Sequence, residues 1–277
     1  MRRSSILKIA GILALIAFIG VALIAAISGQ SASESLRSTY SYDLEISTSG
    51  PIDDAVLLIP LPSRTGSNVT PLDLSSASFS HIDRDNITVA IEHVDGVPML
   101  NISAGRIDPI YRNRIEPIPI MPGQSESELQ KPAQIYSNRY SEETPVLVSM
   151  ELHFTSTADH EIYTRGPIGT EPLLEPYRII QNLSSSGRPV DDYHVSPGAT
   201  GYIIEVPFIL SFDAGDDNVL TISADLQGRN EWWVLGWQFN SYQEHLRHEF
   251  GGACNGTCPA RGILVTGEGV YPSPRRP

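Results

Sequence analysis

Cysteine is almost missing from this sequence: Cys254 and Cys258 are the only two among 277 residues, too few for a disulfide-dense mini-scaffold. Lysine is as scarce, with Lys8 and Lys131 set against seventeen arginines. Positive charge as a whole is short. Nineteen basic side chains face 32 acidic ones, and a net charge of −13 argues against nucleic acid, whose phosphates need a positive field. Catalytic signatures are missing too: there is no G-x-S-x-G elbow, no phosphate-cradling G-x-x-x-x-G-K-S/T and no G-x-G-x-x-G. Charged residues make up 18% against 41% hydrophobic, so the chain is no disordered polyelectrolyte. Its length suits one large domain or two small ones with a sizeable core.

What charge there is falls unevenly. Residues 1–27 hold Arg2, Arg3 and Lys8 and no acid, whereas the remainder carries every acid and a net −16. Between these bases and the acidic bulk lies Ile9 to Ile27, nineteen residues without a charge. At a rise of about 1.5 Å per residue this is close to the roughly 30 Å hydrocarbon core of a bilayer. The run has no polar face, so it reads as a transmembrane anchor over 9–27 rather than a helix lying on the surface. The basic N-terminus (1–8) is expected in the cytoplasm and everything beyond a juxtamembrane linker (28–37) outside. The rival is a cleaved signal peptide, with Ala26-Ile27-Ser28 or Ser31-Ala32-Ser33 as the cut. Its apolar region normally spans only about 7–15 residues, and neither site is a clean A-x-A.

Five Asn-x-Ser/Thr acceptors, at Asn68, Asn86, Asn101, Asn182 and Asn255, fit an extracytoplasmic location; composition alone predicts about 1.6. They are glycosylation candidates in a host that modifies such sites. In general style the chain resembles archaeal exported proteins, with no family motif whose functional residues carry over.

Beyond Ser38 the hydrophobic period becomes two. Tyr40, Tyr42, Leu44 and Ile46 alternate with polar residues, and Gly50-Pro51 ends the strand. Ala55 to Ile59 is a continuous apolar run that reads as a strand buried on both faces. Val94-Asp95-Gly96-Val97 predicts a two-residue type I′ hairpin, because Asp-Gly tolerates two positive φ angles. Tyr202 to Phe212 and Val219 to Leu226 predict a second hairpin across Asp213–Asn218. The proline-punctuated stretch 108–145 reads as a long loop or a joint between two halves. The segment Ser41–Ser47 matches Ser149–Thr155 in residue type, which suggests a duplicated half. The expected fold is therefore all-β: a sandwich-like domain over 38–265, either one sandwich or two packed β subdomains. A disordered tail follows over 266–277. One short C-terminal helix is expected over Tyr242–Phe250, capped by Ser241-x-x-Glu244 and stopped by Gly251-Gly252.

Candidate sites are few. Cys254-Asn-Gly-Thr-Cys258 predicts a disulfide closing a small loop outside the cytoplasm. On the expected helix His245 and His248 share a face just before the cysteines, so His245, His248, Cys254 and Cys258 form an alternative zinc quartet. Asp213, Asp216 and Asp217 offer oxygens to calcium, although their spacing fails the EF-hand pattern. Trp233, Leu235, Trp237 and Phe239 share one strand face, which assigns Trp233 and Trp237 to the core. Trp232 then points outward, where a flat ring could stack on a sugar. No cofactor is implied, and no nucleophile or carboxylate pair stands out. The expectation is a membrane-anchored surface protein with a non-enzymatic structural, adhesive or interaction module, its partners the bilayer and an envelope protein or glycan. A tethered hydrolase acting on glycans or peptides, and an accessory solute- or ion-binding subunit, are the alternatives.

Overall fold

A computed structural model describes residues 18–19, 29–67, 69–72, 75, 77–80, 86–115, 118–119, 125, 132–183 and 195–271. A short helix, α1 (residues 29–35), leads into sixteen strands. They are β1 (Arg37–Thr48), β2 (Ile52–Pro60), β3 (Pro62–Ser63), β4 (Ser78–Ser80), β5 (Ile87–Val94), β6 (Val97–Ile107), β7 (Tyr111–Arg112) and β8 (Tyr136–Ser137). They continue as β9 (Val146–Leu147), β10 (Met150–Thr157), β11 (Leu173–Leu174), β12 (Arg178–Leu183), β13 (Thr200–Ala214), β14 (Val219–Trp233), β15 (Trp237–Gly251) and β16 (Cys254–Gly269).

Eleven of these form one antiparallel sheet in the order β4-β10-β1-β14-β15-β16-β13-β2-β6-β5, with β12 beside β13. The sheet curls until its two wings face each other, and the main apolar core fills the space between, with a smaller cluster of Leu183, Val195, Ala199, Ile263 and Val265 apart from it. Tyr42, Leu44 and Ile46 of β1, Phe154 of β10 and Leu226 of β14 come from one wing; Leu57 of β2, Ile102 of β6 and Phe208 of β13 come from the other. Tyr42 reaches across, its hydroxyl donating to the carbonyl of Pro60 at 3.4 Å. Period-two alternation creates this arrangement, since each strand sends every second side chain to the same face. Val56, 39% exposed, shows that β2 is buried on one face and not on both.

The predicted Asp-Gly hairpin is present. Val94 pairs with Val97, and Asp95 and Gly96 adopt φ of 52° and 82°. The second predicted hairpin is not. β13 pairs with β16, β2 and β12, β14 pairs with β1 and β15, and the turn between them crosses from wing to wing. Asn218 holds that crossing by donating to the carbonyl of Pro51 at 2.9 Å. A Cβ on Gly50 would sit 2.1 Å from its side-chain oxygen, so only glycine fits there. The two similar segments are antiparallel neighbours, with Tyr42 opposite Phe154, Leu44 opposite Leu152 and Ile46 opposite Met150. Residues directly opposite share a face, so the matching pattern has a packing cause. Nor is 108–145 a joint between halves: β10, which follows it, pairs directly with β1, which precedes it. Its described residues include β7 and β8, which join β9 in a small three-stranded sheet.

The expected C-terminal helix is a strand. β15 pairs with β14 along its whole length, from Trp237 opposite Trp233 to Gly251 opposite Val219. Its inward face is Tyr242, Glu244, Leu246 and Phe250, and the polar Glu244 at a core position disguises the alternation. Gly228 makes room for Tyr242, because a Cβ there would come within 2.2 Å of the ring. The tail boundary also moves. β16 extends to Gly269, and the Tyr271 hydroxyl lies 2.5 Å from that of Thr164; residues 272–277 fall outside the described part. Within the expected linker 28–37, residues 29–35 are helical and Arg37 opens β1. The anchor Ile9–Ile27 lies outside the described residues except for Phe18 and Ile19. Among the described residues no helix is long and apolar enough to cross a membrane.

Candidate functional site

Chemistry-bearing side chains gather in three places. The first is the underside of the segment 158–177, which covers one end of the core. Glu171, only 4% exposed, accepts from the Tyr163 backbone N–H at 2.8 Å through one oxygen and from the Tyr40 hydroxyl at 2.6 Å through the other. His160 lies 3.3 Å from the same carboxylate and 2.8 Å from Asp159, whose hydrogen bond raises the imidazole pKa above its ordinary value. Nearby, Glu244 is fully buried and accepts from the Leu174 N–H at 2.7 Å. Desolvation pushes its carboxyl up to about 8, while its second oxygen has no hydrogen-bond partner. Burial also drives the Tyr42 and Tyr242 hydroxyls well above the usual phenol range. These groups fasten the segment to the sheet. Both Glu171 oxygens are occupied, and Glu244 is sealed from solvent.

The second place is a row across four strands of the outer surface: His153 on β10, Asp43 on β1, Asp225 on β14 and His245 on β15, each opposite the next. Two carboxylates side by side repel, and each has a histidine on its far side. His153 Nδ1 lies 2.5 Å from Asp43, and His245 Nδ1 is bonded to Asp225. The Asp225 hydrogen bond raises the His245 pKa, outweighing partial burial. At one end of the row the Thr155 hydroxyl lies 2.8 Å from His153 Nε2, so hydroxyl, imidazole and the Asp43 carboxylate follow one another on the exposed face.

The third is a cavity of about 970 Å³ where α1 meets the β14–β15 hairpin. Gly29 and Ala32 of α1, Trp232, Val234, Arg165 and Tyr271 are among its walls. Its base is a polar knot. Asn230, completely buried, accepts from Ser38 Oγ at 2.7 Å and the Ile162 N–H at 2.9 Å. It donates to the Ile162 carbonyl and to Asn240 Oδ1, both at 2.8 Å. Thr164 also donates to Asn240, at 2.9 Å. Beyond this knot the hairpin projects past the sheet. Trp233 is 44% exposed, Trp237 58% and Leu235 87%, and the two indoles meet edge to face with centroids 5.7 Å apart.

That geometry reverses the expected roles of the tryptophans. Trp232 is half-buried in the cavity wall, whereas Trp233 and Trp237 are exposed. The strand face they were expected to share is broken by a turn at residues 234–236. Cys254 and Cys258 lie in the extended β16, opposite Phe212 and Phe208, instead of flanking a tight turn, and both are free thiols. Burial, aided by the neighbouring Cys254, pushes the Cys258 thiol up to about 11. His245 and His248, three apart on a strand, project to opposite faces, so the zinc quartet loses the shared helical face it required. Asp213, Asp216 and Asp217 are exposed around the wing-to-wing turn. Among the described residues no group of three or more His, Cys, Asp or Glu is arranged to hold a metal. Of the glycosylation candidates, Asn86, Asn182 and Asn255 are exposed. Asn101 is half-buried and donates to Glu92 at 2.7 Å, and Asn68 lies outside the described residues.

No protein-family model, curated protein or solved structure matches this chain. Function must therefore be argued from the site itself. The buried carboxylates and the cavity knot were not legible beforehand. Glu171, Asn230 and Asn240 sit in strand or loop stretches with no motif around them, Glu244 read as part of a helix cap, and only burial distinguishes the four.

Proposed function

We propose that this is a single-pass membrane protein with its N-terminus in the cytoplasm, presenting the curled β domain outside as a non-enzymatic structural, adhesive or interaction module. The observation that carries it is the succession along the chain. Arg2, Arg3 and Lys8 precede nineteen uncharged residues, and a domain carrying a net −16 follows. The absence of chemistry from the module is supported by how its buried polar groups are used. The Glu171 oxygens, the Asn230 amide and the Tyr242 hydroxyl, which donates to the Pro172 carbonyl at 2.6 Å, all bond to the backbone or side chains that they fasten.

Orientation is tested in intact cells with an epitope tag at each end. External protease is expected to remove the C-terminal tag and spare the N-terminal one, and loss of the N-terminal tag overturns the topology. The alternative, a tethered hydrolase, draws on the outer-surface row, where the Thr155 hydroxyl meets His153 Nε2 at 2.8 Å and Asp43 holds the other ring nitrogen, the order of nucleophile, base and orienting carboxylate. It predicts cleavage of a glycan or peptide that Thr155→Val abolishes; the structural role predicts no such activity in either form.

A further inference from the structure

We infer that the tip of the β14–β15 hairpin, from Trp233 to Trp237, is seated in the headgroup layer of the membrane that residues 9–27 are proposed to cross. The domain would then rest on the bilayer at a second point; this deepens the topology above and depends on it.

Direction comes first. β1 and β14 are antiparallel, with Arg37 opposite Glu231 and Thr48 opposite Leu220. The end of β14 that leads into the tip is therefore the end of β1 from which the chain runs back toward its N-terminus. Ser35 of α1 fixes this proximity by accepting the Trp233 backbone N–H at 2.8 Å. Further along, Gly29 and Val234 line the same cavity, so helix and tip run side by side.

Reach is sufficient. Gly29 is two residue steps beyond Ile27, at most about 7 Å of chain, and the seven residues of α1 add about 10 Å. Ser35, with Trp233 bonded to it, therefore lies within about 17 Å of the end of the apolar run, and the tip projects beyond Trp233. The headgroup layer itself is about 5–8 Å deep on each side of the hydrocarbon.

The chemistry fits that layer. From Trp232 to Asn240 there is no charged residue, and the only three tryptophans of the chain fall within six positions. Indoles concentrate at membrane interfaces, where the ring is apolar and its N–H remains wet. Leu235, 87% exposed, sits at the apex with φ of 53°, a left-handed conformation that non-glycine residues rarely adopt. The Asn230–Asn240 knot at the hairpin base keeps the tip in a fixed attitude.

Because every tryptophan lies at the tip or its root, tryptophan emission, excited beyond the tyrosine band, reports on this element alone. The full chain is reconstituted in phosphatidylcholine vesicles, with and without lipids brominated at shallow or deep acyl positions. Shallow bromines are expected to cut tryptophan emission about twofold, more than deep ones, with acrylamide a weak quencher. Leu235→Asp, which keeps all three reporters, is expected to restore acrylamide quenching and abolish the bromolipid effect. Strong acrylamide quenching without bromolipid quenching, in protein that resists alkaline carbonate extraction, overturns the seated tip while leaving the anchor intact. Protection from both quenchers that disappears on diluting the protein in lipid also overturns it, assigning the tip to a second copy of the chain. Release of the protein by carbonate instead overturns the anchor, and the tip proposal with it.

Discussion

Glu244 offers the clearest perturbation, because its carboxyl has nowhere to place a charge. It is fully buried, one oxygen accepts a single backbone N–H and the other has no partner. Its pKa rises from 4.5 to about 8 on folding. Below pH 4.5 the folded and unfolded forms are both protonated and the group contributes nothing to pH dependence. Above that the unfolded chain ionises while the folded one holds its proton, so stability falls with rising pH until the folded group also ionises near 8. At about 1.36 kcal/mol per unit, this single group should remove about 4 kcal/mol of stability between pH 4.5 and 7.5. Glu244→Gln keeps the shape and the acceptor for Leu174 but cannot ionise. Its stability should be close to wild type at pH 4.5 and greater by up to that amount at pH 7.5. Urea unfolding of both proteins across this range, followed by near-ultraviolet circular dichroism, measures the difference; the other titrating groups cancel because the two chains share them. Parallel pH profiles, with a constant offset between wild type and E244Q, would refute the assignment of a proton to this carboxyl.

The polar knot and the surface row yield two further outcomes. Asn230→Ala removes four hydrogen bonds and leaves the buried Ile162 N–H and carbonyl unpaired, so it should cost about 3–4 kcal/mol in the same unfolding assay. A cost below about 1 kcal/mol would mean that water replaces the amide. For His245 the folded pKa is raised by Asp225, so its contribution is present below the ordinary histidine value and lost as pH rises through the folded one. Asp225→Asn should bring the His245 titration, followed by nuclear magnetic resonance of the ring protons, down toward that ordinary value. An unchanged midpoint would show that Asp225 is not its partner.

The parts of the fold that were legible in the sequence are those fixed within a few residues. Val94-Asp95-Gly96-Val97 specifies its turn through two positions that must accept positive φ, and Tyr40 to Ile46 specifies its face through strict alternation. Pairing partners are not local. The Asp213–Asn218 stretch has hairpin composition, yet the strands on either side have other neighbours, because closing the core required the chain to cross between wings. β15 was lost to a helical reading because Glu244 occupies a core position that an apolar residue would have marked. The same residue that gives the strand its unusual titration thus concealed the strand.

The tryptophans carry the same lesson one step further. Trp233, Leu235 and Trp237 alternate like a buried face, and along most of a sheet that inference would hold, since an apolar face is covered by whatever packs against it. Here the alternation runs through a turn, and Leu235 takes positive φ where turn chemistry would have placed asparagine, aspartate or glycine. Gly236, at φ of 151°, is the one local mark of the turn. Beyond the Asn230–Asn240 knot no described strand of the opposing wing covers these side chains, so a pattern that elsewhere means interior here leaves apolar surface at the end of the sheet where β1 begins. The period identifies a face that avoids water; only the topology says whether protein covers it, and only the direction of the chain points to the bilayer as what could.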